Sequence, residues 1–132
     1  MKSNISETYL FYFRIQIEFV SKPTFRMKLL SRSEEIVLMS IWRLQDKAYG
    51  VSIRKQVSKA TGQDWSIGAV YAPLHRLEEK GYVQTRKGEP VSKRGGRSKV
   101  FYELTADGKR ALLDIKHVHD ALWGGIPALS VE

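Results

Sequence analysis

No cysteine occurs anywhere in the sequence. Disulfides, thiolate metal sites and a thiol nucleophile are therefore excluded, and nothing points to an oxidising compartment, so a cytoplasmic location is the default expectation. Long apolar runs are missing as well. The nearest approach, Tyr9 to Val20, is interrupted by Arg14 and Glu18 and is followed by no small-residue cleavage site of the kind that ends a signal peptide. It also falls short of the about 20 mainly apolar residues that a membrane span needs. Neither secretion nor membrane insertion is expected. Histidine is scarce, and His117 and His119 stand at i and i+2. That spacing points the two rings to different sides of a helix, so they cannot form the one-face ligand pair of a helical metal site. No phosphate loop, nucleophile elbow or Rossmann glycine pattern is present. The acids are scattered, mostly where helix caps want them. Catalysis finds no foothold, and neither a metal nor a cofactor is expected.

Acidic residues are outnumbered, 14 against 22 Lys and Arg, which leaves a formal charge of +8 on 132 residues. One compact domain is the expectation at this length. A surface so basic is drawn to polyanions or anionic membranes.

What is present divides at Pro23. Before it, Phe11, Phe13, Ile15, Ile17 and Phe19 alternate with Tyr12, Arg14, Gln16 and Glu18, which reads as a strand. Residues 1–28 are either an appendage or a strand that extends a dimer, and both readings stand. From Met27 the pattern becomes helical. Ser33 with Glu34 and Glu35 suggests an N-cap and an acidic first turn. Ile36, Met39 and Trp42, flanked by Leu38, Ile41 and Leu44, form a broad apolar stripe expected to face the core. Tyr49 and Gly50 read as a turn. A second helix follows to Ala60, with Val51, Ile53, Val57 and Ala60 inward and Gly62 as its stop. Ser66 caps a third, in which Val70, Leu74 and Leu77 make the buried stripe and Gly81 ends the run.

After Gly81 the period changes to alternation. Tyr82 to Arg86 and Lys99 to Leu104 read as two strands of a hairpin whose long tip is basic: Arg86, Lys87, Lys93, Arg94, Arg97 and Lys99 are opposed only by Glu89. Gly95 and Gly96 permit positive φ at its turn. Thr105 caps a last helix whose first turn Gly108 should weaken. On it Ala111, Ile115, Val118 and Leu122 are spaced 4, 3 and 4 apart, a narrow seam of the kind that pairs helices. The tail from Gly124 should fray. Three helices, a hairpin and a final helix is the order of a winged helix-turn-helix domain, in which the third helix enters the major groove and the hairpin lies beside the backbone. The fold expected is thus mainly α with a small β-hairpin. Its divisions are a winged helix DNA-binding domain over 29–104, a C-terminal dimerisation helix over 105–123 and a tail over 124–132.

Within this order, the run Ile67-Gly-Ala-Val-Tyr71, then Leu74-His-Arg-Leu-Glu78, Lys80-Gly-Tyr-Val83, Arg94-Gly-Gly-Arg97 and Phe101-Tyr-Glu-Leu-Thr-Ala-Asp-Gly108 resembles the PadR family of transcriptional regulators. The resemblance covers about Leu29 to Trp123. Pro73 departs from the pattern, since many members carry the proline directly after the tyrosine. The likeness implies a homodimeric, sequence-specific DNA-binding regulator, a repressor of a palindromic operator, with double-stranded DNA and a second copy as partners. Small exposed residues at the start of helix three, Ser66, Gly68, Ala69 and Ala72, would let its backbone approach base edges. Tyr71, His75 and Arg76 are the longer polar candidates on that helix, and Arg54 and Lys55 of helix two are candidates for the phosphate backbone. Lys93, Arg94, Arg97 and Lys99 of the hairpin suit phosphates and a narrow minor groove. Packing and solvation are the plainer roles for each, with Tyr71 evenly balanced between a phosphate contact and packing on helix two. Trp42 and Trp65 are expected in packing roles, whereas Trp123, at the end of the dimer helix, is a candidate contact for a small aromatic effector of the kind some PadR relatives bind. A winged helix used only as a protein interaction module is the alternative.

Overall fold

The computed structural model describes residues 29–88 and 99–131. The alternating N-terminal segment and the hairpin tip with Lys93, Arg94 and Arg97 lie outside the described residues. Helix α1 (Arg32–Leu44) runs into a short 3-10 turn (Gln45–Lys47), and α2 (Gly50–Thr61) and α3 (Ile67–Glu79) follow. Strands β1 (Val83–Lys87) and β2 (Val100–Leu104) then lead to α4 (Ala106–Trp123). The strands pair antiparallel, from Val83 opposite Leu104 to Lys87 opposite Val100. The architecture is mainly helical with one two-stranded hairpin, as the pattern of periods implies.

The N-cap of helix α1 lies two residues before the serine that the sequence suggests. Ser31 is its N-cap: the Ser31 hydroxyl accepts from the Glu34 N–H at 3.2 Å and donates to the Glu34 carboxylate at 2.8 Å. Ser31 with Glu34 forms the reciprocal box that satisfies two otherwise orphaned donors, whereas Ser33 has Ile36 three residues on and nothing to return the bond. The inward face also differs. Val37, Leu38 and Ile41 are buried, while Met39 and Trp42 are exposed. Apolar residues nearly surround this helix, so its 3.6-residue period allows two phasings. Packing against α2 and α3 selects one of them.

In α2 the buried pair is Ile53 and Val57, and Val51 and Ala60 remain on the surface. Gly62 takes φ +70° at the end of this helix. Val70, Leu74 and Leu77 of α3 are buried as expected, and the helix runs through a buried Pro73. Its far end is closed by a Schellman arrangement, with Tyr82 N–H donating to the Leu77 carbonyl at 2.9 Å and Gly81 N–H to Glu78 at 3.0 Å. Glycine suits that position because φ there is +76°.

The hairpin is tied to the helices on two sides. Tyr102 N–H donates to the Ala48 carbonyl at 2.8 Å, and Tyr49 forms an isolated bridge with Phe101, so residues that read as a plain turn are tied to β2. At the other end Thr105 donates to Gly81 O at 2.6 Å, accepts from Gly108 N at 3.0 Å, and gives its own N–H to Tyr82 O at 3.1 Å. Helix α4 leaves this junction and lays Ala111, Leu112 and Ile115 against the core. Farther along, His119 Nε2 stands 3.5 Å from a Glu35 carboxylate oxygen of α1.

Candidate nucleic-acid interface

The leading half of α3 presents a continuous accessible face. The Ser66 hydroxyl accepts from Ala69 N–H at 3.1 Å and so fixes the first turn. Ser66, Gly68, Ala69, Tyr71, Ala72 and His75 are all exposed. Gly68, Ala69, Tyr71, Ala72 and His75 share the side of the helix away from Val70, Leu74 and Leu77, as its period requires, and Ser66 stands at the tip as the N-cap. The His75 ring lies 3.0 Å from the Glu79 carboxylate one turn later.

Tyr71 turns toward α2. A Cβ built on Gly50 would stand 2.2 Å from the Tyr71 hydroxyl, so the absence of a side chain at the first residue of α2 makes room for the phenol. Next to Gly50, the Tyr49 ring meets Phe101 of β2 edge-on, with centroids 5.7 Å apart. Lys99 sits over the Tyr49 ring at 4.4 Å and Arg86 over the Phe101 ring at 4.6 Å. Both cations therefore stand at the tip-side end of the paired strands, held by ring faces. Arg86 also donates to the Asp46 carbonyl at 3.1 Å. Burial pushes the Tyr102 hydroxyl above its ordinary value, with Tyr71 and Glu78 acting in the same direction. The phenol beneath this surface stays neutral. The start of α2, the flank of α3 and the start of β2 thus form one connected surface built from Tyr49, Gly50, Tyr71, Lys99 and Phe101.

Two cations expected on that surface have other partners. Arg76, read as an exposed side chain, is half-buried and faces α1, where its Nε lies 3.5 Å from Glu34. Lys80 reaches the other oxygen of the same carboxylate at 2.5 Å. The reason is Glu34 itself, which is buried and attracts the two cations that α3 can supply. Burial alone would raise this carboxyl, yet its hydrogen bonds with Lys80 and Ser31 and the Lys80 charge hold it below its ordinary value. Arg54 donates from Nε to the Trp65 carbonyl at 2.6 Å and lies 3.5 Å from Asp64. It braces the α2–α3 turn. Lys55 and Lys59 remain exposed on α2.

The candidate dimer residues separate in a similar way. Ala111 and Ile115 pack against the core of this protomer, Val118 is half-buried, and Leu122 is exposed. Trp123 is exposed at the end of α4. Trp65 is half-buried and donates to Thr61 Oγ1 at 3.0 Å, in the packing role expected of it. Trp42 is instead an exposed ring with the Lys109 ammonium 5.6 Å from its centroid. Among the described residues no helix is long and apolar enough to cross a membrane, and no three His, Asp or Glu gather as metal ligands would.

One exposed residue escaped the sequence reading. Ile67, first in α3, is 60% exposed. The stripe read from the sequence begins at Val70, and nothing in that spacing marks Ile67 as an exposed side chain, whereas Trp65 two residues earlier packs against the core.

The sequence model of the "Transcriptional regulator PadR-like family" matches residues 37–114. Among solved structures, RosR of H. salinarum is similar at a TM-score of 0.60 and 20% identity, over 77% of this chain and 84% of that one. A PadR-like transcription factor from Bacteroides fragilis is similar at 0.56 and 21%, over 69% and 85%. A transcriptional regulator from Clostridium thermocellum is similar at 0.54 and 21%, over 67% and 83%. At these identities the likeness concerns the fold. No curated protein matches the chain.

Proposed function

Because the chain belongs to the transcriptional regulator PadR-like family, we propose that it is a sequence-specific regulator which binds a palindromic operator as a homodimer and represses from the cytoplasm. Members of this family are DNA-binding regulators, not enzymes. The observation that carries the finer reading is the accessible face of α3, from Ser66 to His75, lying beside a hairpin that displays Lys99 at the tip-side end of its strands. A helix face of small residues fits the major groove closely, while cations beside it neutralise phosphates. With so few long polar groups on that face, much of the selectivity falls to duplex shape and to the spacing of two half-sites, about 34–36 Å for one helical turn. Lys93, Arg94 and Arg97 belong in this reading to the phosphate and minor-groove contacts of the hairpin.

Selection of bound duplexes from a random pool, followed by Ala72→Glu, tests it. Ala72 is exposed, so the carboxylate should leave folding unchanged while repelling phosphates. A loss of at least about ten-fold for the selected duplex, with an unaltered circular dichroism spectrum, is expected. Retained affinity would remove α3 from the groove. Absence of any enriched duplex, together with capture of an acidic protein, would favour an interaction module instead.

A further inference from the structure

Resting on the reading of α3 as the groove-facing helix, the geometry points to Ile67 as a specificity-determining residue that packs against the C5-methyl group of a thymine in each half-site. Ile67 follows the N-cap directly and is 60% exposed, whereas Val70 in the same helix is fully buried. An exposed β-branched aliphatic at the tip of a helix gains nothing from water, and removing its apolar surface from solvent is favourable wherever an apolar partner is offered. Its exposed neighbours Gly68, Ala69 and Ala72 carry no side-chain donor or acceptor. The one hydroxyl of this turn, Ser66, accepts the Ala69 N–H, which fixes its oxygen at the helix tip and leaves a single proton to donate. The leading turn therefore offers mainly methyl and methylene groups, with the Ser66 hydroxyl proton as its one side-chain donor. In the major groove the apolar feature that distinguishes a base pair is the thymine methyl, which aliphatic side chains contact. A pyrimidine without it at the same place leaves Ile67 facing water.

The test uses the full chain and the duplex selected from the random pool, alongside the same duplex carrying deoxyuridine in place of thymine, a change that deletes only the methyl group. Substitution at one thymine position should weaken wild-type binding about four-fold per half-site, the effect of one buried methyl or methylene. Ile67→Ala should bind the thymine duplex more weakly than wild type does and be indifferent to the substitution. Wild-type protein that holds the fully uridine-substituted duplex as tightly as the parent would overturn the inference, and that comparison needs no variant. So would an equal loss on substitution for wild type and Ile67→Ala, or a change in the sedimentation of the DNA-free chain caused by Ile67→Ala, which would make the residue a contact between copies. If no duplex is enriched at all, the groove-facing reading of α3 fails first and this inference with it.

Discussion

Glu34 concentrates three interactions on one buried carboxylate. It completes the N-terminal box of α1 and draws Lys80 and Arg76 of α3 onto that helix. Its folded pKa lies below the ordinary glutamate value. The contribution to stability is therefore complete above the unfolded value, about 4.3, and is lost as the pH falls through the folded one. Glu34→Gln keeps a hydrogen-bonding side chain but removes the charge, and should cost about 1–2 kcal/mol at pH 7, the scale of charge-assisted bonds whose cations can still reach water. The gap between wild type and variant should narrow as the pH is lowered below 4. Urea midpoints at the two pH values measure it. A gap that stays constant with pH would show that the charge contributes nothing. The same geometry reassigns Arg76, since a cation held by α1 is a poor base reader, and its replacement should lower stability more than it alters base preference.

At the scale of elements, the junction between hairpin and α4 is tighter than the sequence suggests. Gly108 lies in the first turn of α4, where glycine ordinarily weakens a helix by about 1 kcal/mol relative to alanine. Here a Cβ would stand 2.0 Å from the Tyr82 carbonyl oxygen, which is backbone and cannot swing aside. The close approach outweighs propensity. Gly108→Ala should destabilise by about 1–3 kcal/mol, as overpacking does, and should loosen the hairpin where Thr105 bonds Gly81 and Tyr82. Thermal unfolding decides this, and an alanine variant more stable than its parent would mean that the contact relaxes freely. The link from Tyr49 to Phe101 has a related effect on the other side, because it holds the tip-side end of β2 against the start of α2.

For the whole molecule, part of the apolar surface left exposed among the described residues lies on α4 and on the outer side of α1. Leu113, Leu122 and Trp123 are exposed on the one, and Met39 and Trp42 on the other. In the proposed homodimer these groups, not the entire four-residue seam, are the ones free to meet a second copy. Leu122→Asp should shift the chain to monomer in sedimentation at micromolar concentration with its helical content kept. Ile115→Asp should lower the unfolding temperature as well, because Ile115 packs against the core of its own protomer. A wild-type chain already monomeric under those conditions would sink the dimer proposal.

Local chemistry in the sequence determined much of this protein. Ser66, Gly62, Gly81 and Thr105 mark helix ends by capping and by tolerance of positive φ, and these depend on a few neighbouring residues. The change from helical to alternating period after Gly81, and the motifs running from Ile67 to Gly108, likewise made the winged helix order and the family legible. Tertiary structure decided which of two apolar faces of α1 turned inward, because that choice depends on which neighbour covers it. It decided the partners of Arg54 and Arg76, which are distant acids and carbonyls that no helical spacing reveals. It also decided that Ile67 is exposed while Trp65, two residues earlier, packs against the core, since a periodic stripe shows direction around a helix but not what covers its end.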